Sequence, residues 1–209
     1  MPTDINFLPV KSPFAKRHPT KQLFLIRHAK SQAQAASKRE RRTSTMLVDA
    51  KLASSSVDEM KELGRNLLQI PLMDKVEIVL CSPMSRAIQT ACLIFQHTNT
   101  KILLVPDLSE FGLNRKMTGF ENTGRPCETL LADKELHGLP KFKDVDFSLV
   151  RNFADMYGCQ WWNSAFNWDK FRSQVERVKR YILEIPENVL AVVGHCCNVS
   201  FIIIVDLFT

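Results

Sequence analysis

Residues 76–91 read VEIVLCSPMSRAIQTA, and this stretch decides the fold. The first six residues are almost wholly apolar and too few for a helix, the profile of a strand buried on both faces. Ser82 and Pro83 follow at once, pairing an N-cap residue with a proline that suits the first helical position, where its missing N–H costs nothing. A helix through Ile88, Ala91, Leu93 and Phe95 is expected to begin there. A buried strand running directly into a helix is the repeating unit of a parallel α/β sheet.

The same signal recurs on both sides. QLFLI at 22–26, KILLV at 101–105 and VLAVVG at 189–194 are further short apolar runs that read as buried strands. Ser56 and Glu59 have the capping-box spacing, and Val57, Met60, Leu63 and Leu67 share one helical face, so a helix is expected from there to about residue 69. Phe171, Val175, Val178 and Ile182 mark another, closed by Pro186. The expected architecture is a three-layer α/β sandwich, a mostly parallel central sheet flanked by helices. Residues 1–20 read as a loose basic arm, and residues 21–209 as one domain. Residues 111–167 lack clear periodicity and read as an inserted cap of loops and short helices, with Trp161, Trp162, Phe166 and Trp168 as a packing cluster beneath it.

Composition narrows the partners. The 209 residues are 45% hydrophobic and 24% charged, an ordinary globular balance, with a net charge of +6. Residues 1–42 carry ten basic and two acidic side chains, and the remainder 18 against 20. The basicity belongs to the arm and its neighbourhood, so no nucleic-acid partner is expected of the fold. No apolar run reaches the ~18 residues of a membrane span, and the first 20 residues lack a secretory or amphipathic targeting pattern. The six cysteines have no compact framework spacing and read as reduced thiols of a cytoplasmic protein. Oligomeric state is not encoded in any visible pattern.

Three strands end in unusual polar residues: Arg27 and His28, Ser82 with Arg86, and His195. Ligands of α/β sheets bind at the carboxyl ends of the strands, so these ends are expected to converge. Two arginines and two histidines brought together repel one another unless an anion joins them, and two guanidinium forks match the oxygens of a phosphate. A cysteine-dependent phosphatase needs five residues between its cysteine and arginine, whereas Cys81 and Arg86 have four between them. Zinc binding by His195, Cys196 and Cys197 fails because consecutive residues cannot all face one tetrahedral ion.

LIRHAKSQAQ at 25–34 resembles the Arg-His-Gly signature of the histidine phosphatase superfamily, the phosphoglycerate mutase-like fold. CSPMSRAIQTA resembles its second arginine motif, VVGHCCN its second histidine, and DLSEFG the segment that supplies its acid, all in family order. The resemblance implies hydrolysis of a phosphorylated small molecule through a phosphohistidine on His28, with no metal or other cofactor. Arg27, Arg86 and His195 would hold the phosphoryl oxygens, Ser31 and Gln34 would assist, and Glu110 would protonate the leaving oxygen, for which its pKa should be raised. Independently of the resemblance, Arg115, Lys116 and Arg125 lie in the segment expected to overhang the pocket and are the candidates for recognising substrate charge.

Three departures shape the expectation. Ala29 replaces the usual glycine, and Gln34 stands where Asn is usual. Phe111-Gly112-Leu113 follows the acid where phosphoglycerate mutases carry Arg-x-Tyr-Gly, which favours phosphatase over mutase. Arg-His-Ala-Lys resembles a compact branch acting on protein phosphohistidine, but the 111–167 insertion favours a small-molecule substrate. The competing non-enzymatic expectation is a phosphate-binding scaffold, which has no need of paired histidines.

Overall fold

The computed structural model describes residues 21–37, 39–40, 47–71, 73–110, 122–157 and 168–196. The basic arm, Arg115, Lys116, Cys159, Cys197 and the Trp161, Trp162 and Phe166 cluster lie outside them.

Among the described residues, five strands form one parallel sheet: β1 (Gln22–Arg27), β2 (Ile78–Cys81), β3 (Lys101–Leu104), β4 (Val145–Asp146) and β5 (Val189–Gly194), in the order β1-β5-β2-β3-β4. The four expected strands are present. The fifth, β4, comes from within 111–167, so this segment adds an edge to the central sheet as well as short helices. With two residues, β4 is too short to show a period of its own.

Helices among the described residues include α1 (Gln32–Ala35), α2 (Ser54–Leu67), α3 (Ser85–Ile94), α4 (Cys127–Leu131), α5 (Lys134–His137), α6 (Ser148–Tyr157) and α7 (Trp168–Glu184). The strand period of two sorts the sheet into its two faces. Val79, Cys81, Ile102, Leu104, Ala191 and Val193 meet Ala87, Ile88 and Ala91 of α3 on one side. Leu80, Leu103, Leu190 and Val192 meet Val178 and Ile182 of α7 on the other. Every residue of α3 is buried, because α2 and the 122–157 segment cover the side turned away from the sheet.

Two helix starts differ from the sequence expectation. Helix α2 begins at Ser54 after Ala53, whose N–H is taken by Lys30 O as the chain leaves an antiparallel bridge between Ser31 and Leu52. That bridge, not the capping box, sets the start, and Ser56 Oγ is left buried without a hydrogen-bond partner. Helix α3 begins at Ser85, not at Pro83, and its first turn is capped from elsewhere in the chain: Asp49 Oδ1 accepts the Ser85 N–H at 2.8 Å. Asp49 has a φ of 46°, a left-handed conformation that aspartate tolerates better than most residues.

Candidate active site

The sheet order explains the convergence. Strand β5 lies between β1 and β2, with Arg27 opposite Gly194 and Cys81 opposite Val193, so the next residues in each strand, His28, Ser82 and His195, leave the sheet side by side. His28 N–H still bonds to Gly194 O and Ser82 N–H to Val193 O, both at 2.9 Å, which holds the three exits in register. The His28 and His195 rings stand edge to face, with centroids 4.9 Å apart.

Arg86, in the first turn of α3, reaches into this cluster. Its Nε lies 3.3 Å from His28 Nε2, and its terminal nitrogen lies 3.5 Å from His195 Nδ1 and 4.0 Å from Glu110 Oε2. Glu110 follows the turn after β3 and brings Oε2 to 3.2 Å from His195 Nδ1. His28, Arg86, His195 and Glu110 are thus one constellation. Arg27 is exposed at the end of β1, close enough for its charge to act on His195.

His28 Nδ1 lies 2.7 Å from Ala29 O, so Nδ1–H donates there and Nε2 carries the lone pair. Burial, followed by the charges of His195 and Arg86, lowers the His28 pKa to about 3. Burial and then Arg86 also lower that of His195, against the pull of Glu110. Both rings are neutral at physiological pH. For Glu110, burial alone would push the carboxyl up, but the His195 hydrogen bond and the Arg86 charge outweigh it and hold the group below its ordinary value. This is opposite to the raised pKa expected from the sequence, and the cause is the density of donors around the carboxylate.

Ligand atoms of His28, Glu110 and His195 lie within 4.8 Å of one another, a spacing a cation could use. The guanidinium of Arg86 argues against it, since its Nε–H points at the His28 lone pair that a metal would require and its charge opposes a second cation. The positive charge and N–H donors of Arg86 suit an anion better than a cation.

The remaining candidate residues are placed differently. Ser31 and Gln34 form a reciprocal capping box, Ser31 Oγ accepting Gln34 N–H at 3.2 Å and Gln34 Oε1 accepting Ser31 N–H at 2.9 Å, so these two oxygens cap α1. Arg125 points into a network beneath α3: Nε to Asp49 Oδ2 at 3.0 Å, one terminal nitrogen to Asp133 at 2.8 Å, and the other to Ser85 Oγ at 2.5 Å. Ser85 Oγ in turn donates to Asp49 at 2.5 Å, the helix-start role its position suggests.

Sequence reasoning missed three neighbours. Asn122 Oδ1 accepts from Arg86 at 3.0 Å, Thr90 Oγ1 accepts Ala29 N–H while donating to Arg86 O, and Asp49 caps the helix that carries Arg86. Thr90 lies one helical turn after Arg86, a spacing the sequence does show. Asn122 and Asp49 sit in stretches without periodicity and gave no signal.

A parallel α/β sheet with two buried histidines, an arginine and a carboxylate gathered at its carboxyl edge is the arrangement of one class of α/β protein. The chain belongs to the histidine phosphatase superfamily (branch 1), whose family model matches residues 23–136. No curated protein matches it significantly in sequence. Among solved structures, it is similar to the alpha-ribazole phosphatase of Shigella flexneri, at 19% identity and a TM-score of 0.53, covering 87% of this chain and 77% of that one. It is also similar to a mycobacterial glucosyl-3-phosphoglycerate phosphatase complexed with VO3, at 13% identity and a TM-score of 0.50, covering 87% and 80%. At these identities the likeness is one of fold.

Proposed function

We propose that the protein hydrolyses phosphomonoesters through a phosphohistidine on His28. The observation that carries this reading is the His28 Nδ1 contact with Ala29 O, which leaves a buried neutral ring with its Nε2 lone pair directed towards Arg86. In the first step Nε2 attacks phosphorus, the P–O bond to the leaving group breaks, and Glu110 gives its proton to the departing oxygen. In the second step water attacks the phosphohistidine, Glu110 takes the water's proton, the P–N bond breaks, and its electron pair returns to Nε2. Arg86, Arg27 and the Nδ1–H of His195 hold the equatorial oxygens, where charge collects in the transition state. Metal assistance is not required, because these groups supply the electrostatic stabilisation. The substrate class proposed is a small phosphorylated metabolite; among the described residues no helix is long and apolar enough to cross a membrane.

The test is hydrolysis of p-nitrophenyl phosphate by the wild type and by His28→Ala, with acid-quench trapping of the phosphoenzyme. An acid-labile, base-stable adduct on the wild type and none on the variant is expected. Equal turnover by the two proteins would rule the reading out.

A further inference from the structure

His195 is gripped at both ring nitrogens. Nε2 lies 2.8 Å from Ser82 Oγ, and Nδ1 lies 3.2 Å from Glu110 Oε2. Ser82 Oγ also accepts the Met84 N–H at 3.3 Å, so its own proton is available to a further acceptor. Two neutral tautomers of His195 must be compared. With the proton on Nε2, the Nδ1 lone pair would face a carboxylate oxygen, acceptor against acceptor. With the proton on Nδ1, the ring donates to Glu110 at 3.2 Å and accepts from Ser82 at 2.8 Å, and these two short contacts outweigh the donor-to-donor approach of the Arg86 terminal nitrogen at 3.5 Å. Ser82 and His195 are both fully buried, so water cannot relieve the first arrangement. Protonating both nitrogens is opposed by burial and by the charges of Arg86 and Arg27, with Glu110 alone favouring it.

We infer that Ser82 is a positioning residue whose hydroxyl, by donating to His195 Nε2, locks His195 in the Nδ1–H tautomer, so that the ring always presents a donor to phosphoryl oxygens. The catalytic consequence rests on the proposed function, whereas the tautomer does not. A ring free to exchange tautomers would offer a lone pair to an anionic oxygen for part of the time and repel it. Ser82, His195 and Glu110 are strung like the triad of a serine hydrolase, but Ser82 is fully buried and its oxygen already accepts a backbone N–H, which suits a support and not a nucleophile.

Long-range proton–nitrogen NMR of the imidazoles reads the tautomer directly in the full chain. The His195 signals are identified by their loss in His195→Gln, and inorganic phosphate serves as the probe ligand. The wild type is expected to show His195 as Nδ1–H with and without phosphate. Ser82→Ala should give a mixture of tautomers and reduce kcat for p-nitrophenyl phosphate by roughly tenfold with little change in KM, and Ser82→Thr should restore both. An Nε2–H tautomer in the wild type, an unaltered tautomer in Ser82→Ala, or covalent labelling of Ser82 by a fluorophosphonate would overturn the inference. An Nδ1–H ring in a protein that hydrolyses no phosphomonoester would support the tautomer assignment and count against the phosphatase reading alone.

Discussion

Arg86 Nε lies 3.3 Å from His28 Nε2, so the cation that would bind the phosphoryl group is also hydrogen-bonded to the proposed nucleophile. The contact keeps the imidazole turned towards the pocket, and an incoming phosphate competes for the guanidinium that makes it. Inorganic phosphate should therefore raise the unfolding temperature of the wild type by preferential binding to the folded state. In Arg86→Ala the phosphate shift should vanish, and kcat/KM for p-nitrophenyl phosphate should fall by roughly a hundredfold or more. Arg86→Lys should recover little, since an ammonium cannot reproduce the fork. A phosphate shift that survives Arg86→Ala would count against this placement of the anion.

The same helix start depends on Asp49. Burial pushes its carboxyl above the ordinary value, against the Ser85 hydroxyl and the Arg125 guanidinium, which pull it down. Removing Arg125 leaves a buried acid without its counter-charge, so Arg125→Ala should cost about 3 kcal/mol in urea unfolding. Asp49→Ala should cost a similar amount, and the double variant clearly less than the sum, because the two share one interaction. Additive losses would show that the pair is not coupled.

Gly64 tests how closely α2 approaches α3. A Cβ at this position would lie 2.7 Å from Ile94 O and 2.9 Å from Leu93 O, both backbone atoms that cannot swing aside. The gain in helix propensity from Gly64→Ala, about 1 kcal/mol, is smaller than the cost of separating two packed helices. A net loss of about 2 kcal/mol and of roughly 5 °C in Tm is expected, measured by thermal unfolding. Unchanged or higher stability would mean that the helices can part freely.

What the sequence disclosed and what it hid divide along a physical line. The strands of residues 22–26, 101–105 and 189–194 were legible because burial on both faces demands unbroken apolar runs, and the polar residues straight after them stood out against that background. His28, Arg86 and His195 were found this way, and the resemblance added Glu110. Contacts made across long sequence separations were not legible. Arg125 was expected to face substrate, yet it folds under α3 because Asp49, 76 residues away, supplies a buried partner. The start of α2 was misplaced for the same reason, a bridge to Ser31 overriding a local capping signal. The pKa of Glu110 also depends on His195 and Arg86, which come from two other segments, and its direction could not be read from local sequence.

The histidines give stability a definite pH dependence. His28 has a pKa of about 3 in the folded protein against 6.5 ordinarily, so the unfolded chain binds the proton more readily. The stability is fully present above pH 6.5 and is lost as pH falls towards 3, by an amount on the order of a few kcal/mol. His195 acts in the same direction. Urea midpoints measured between about pH 7.5 and 4.5 should fall for the wild type and fall less for His28→Gln. Parallel curves for the two proteins would show that His28 carries no such linkage.

Glu110 is best tested through the leaving group. Alkyl phosphates expel a strongly basic oxygen that needs a proton, whereas p-nitrophenolate departs almost unaided. Glu110→Gln should therefore reduce hydrolysis of glycerol phosphate by roughly a hundred- to thousandfold, but that of p-nitrophenyl phosphate by only about tenfold in the first step. Because the donors around it hold Glu110 below its ordinary value, the free enzyme carries it as carboxylate near neutrality. A bound phosphate dianion offsets the charge of Arg86 and raises the carboxyl towards the protonated form the reaction uses. kcat for glycerol phosphate should accordingly climb as the pH is lowered from about 7 to about 5, and the climb should disappear in Glu110→Gln. Equal losses on the two substrates, or a climb that persists in the variant, would assign the proton to another group.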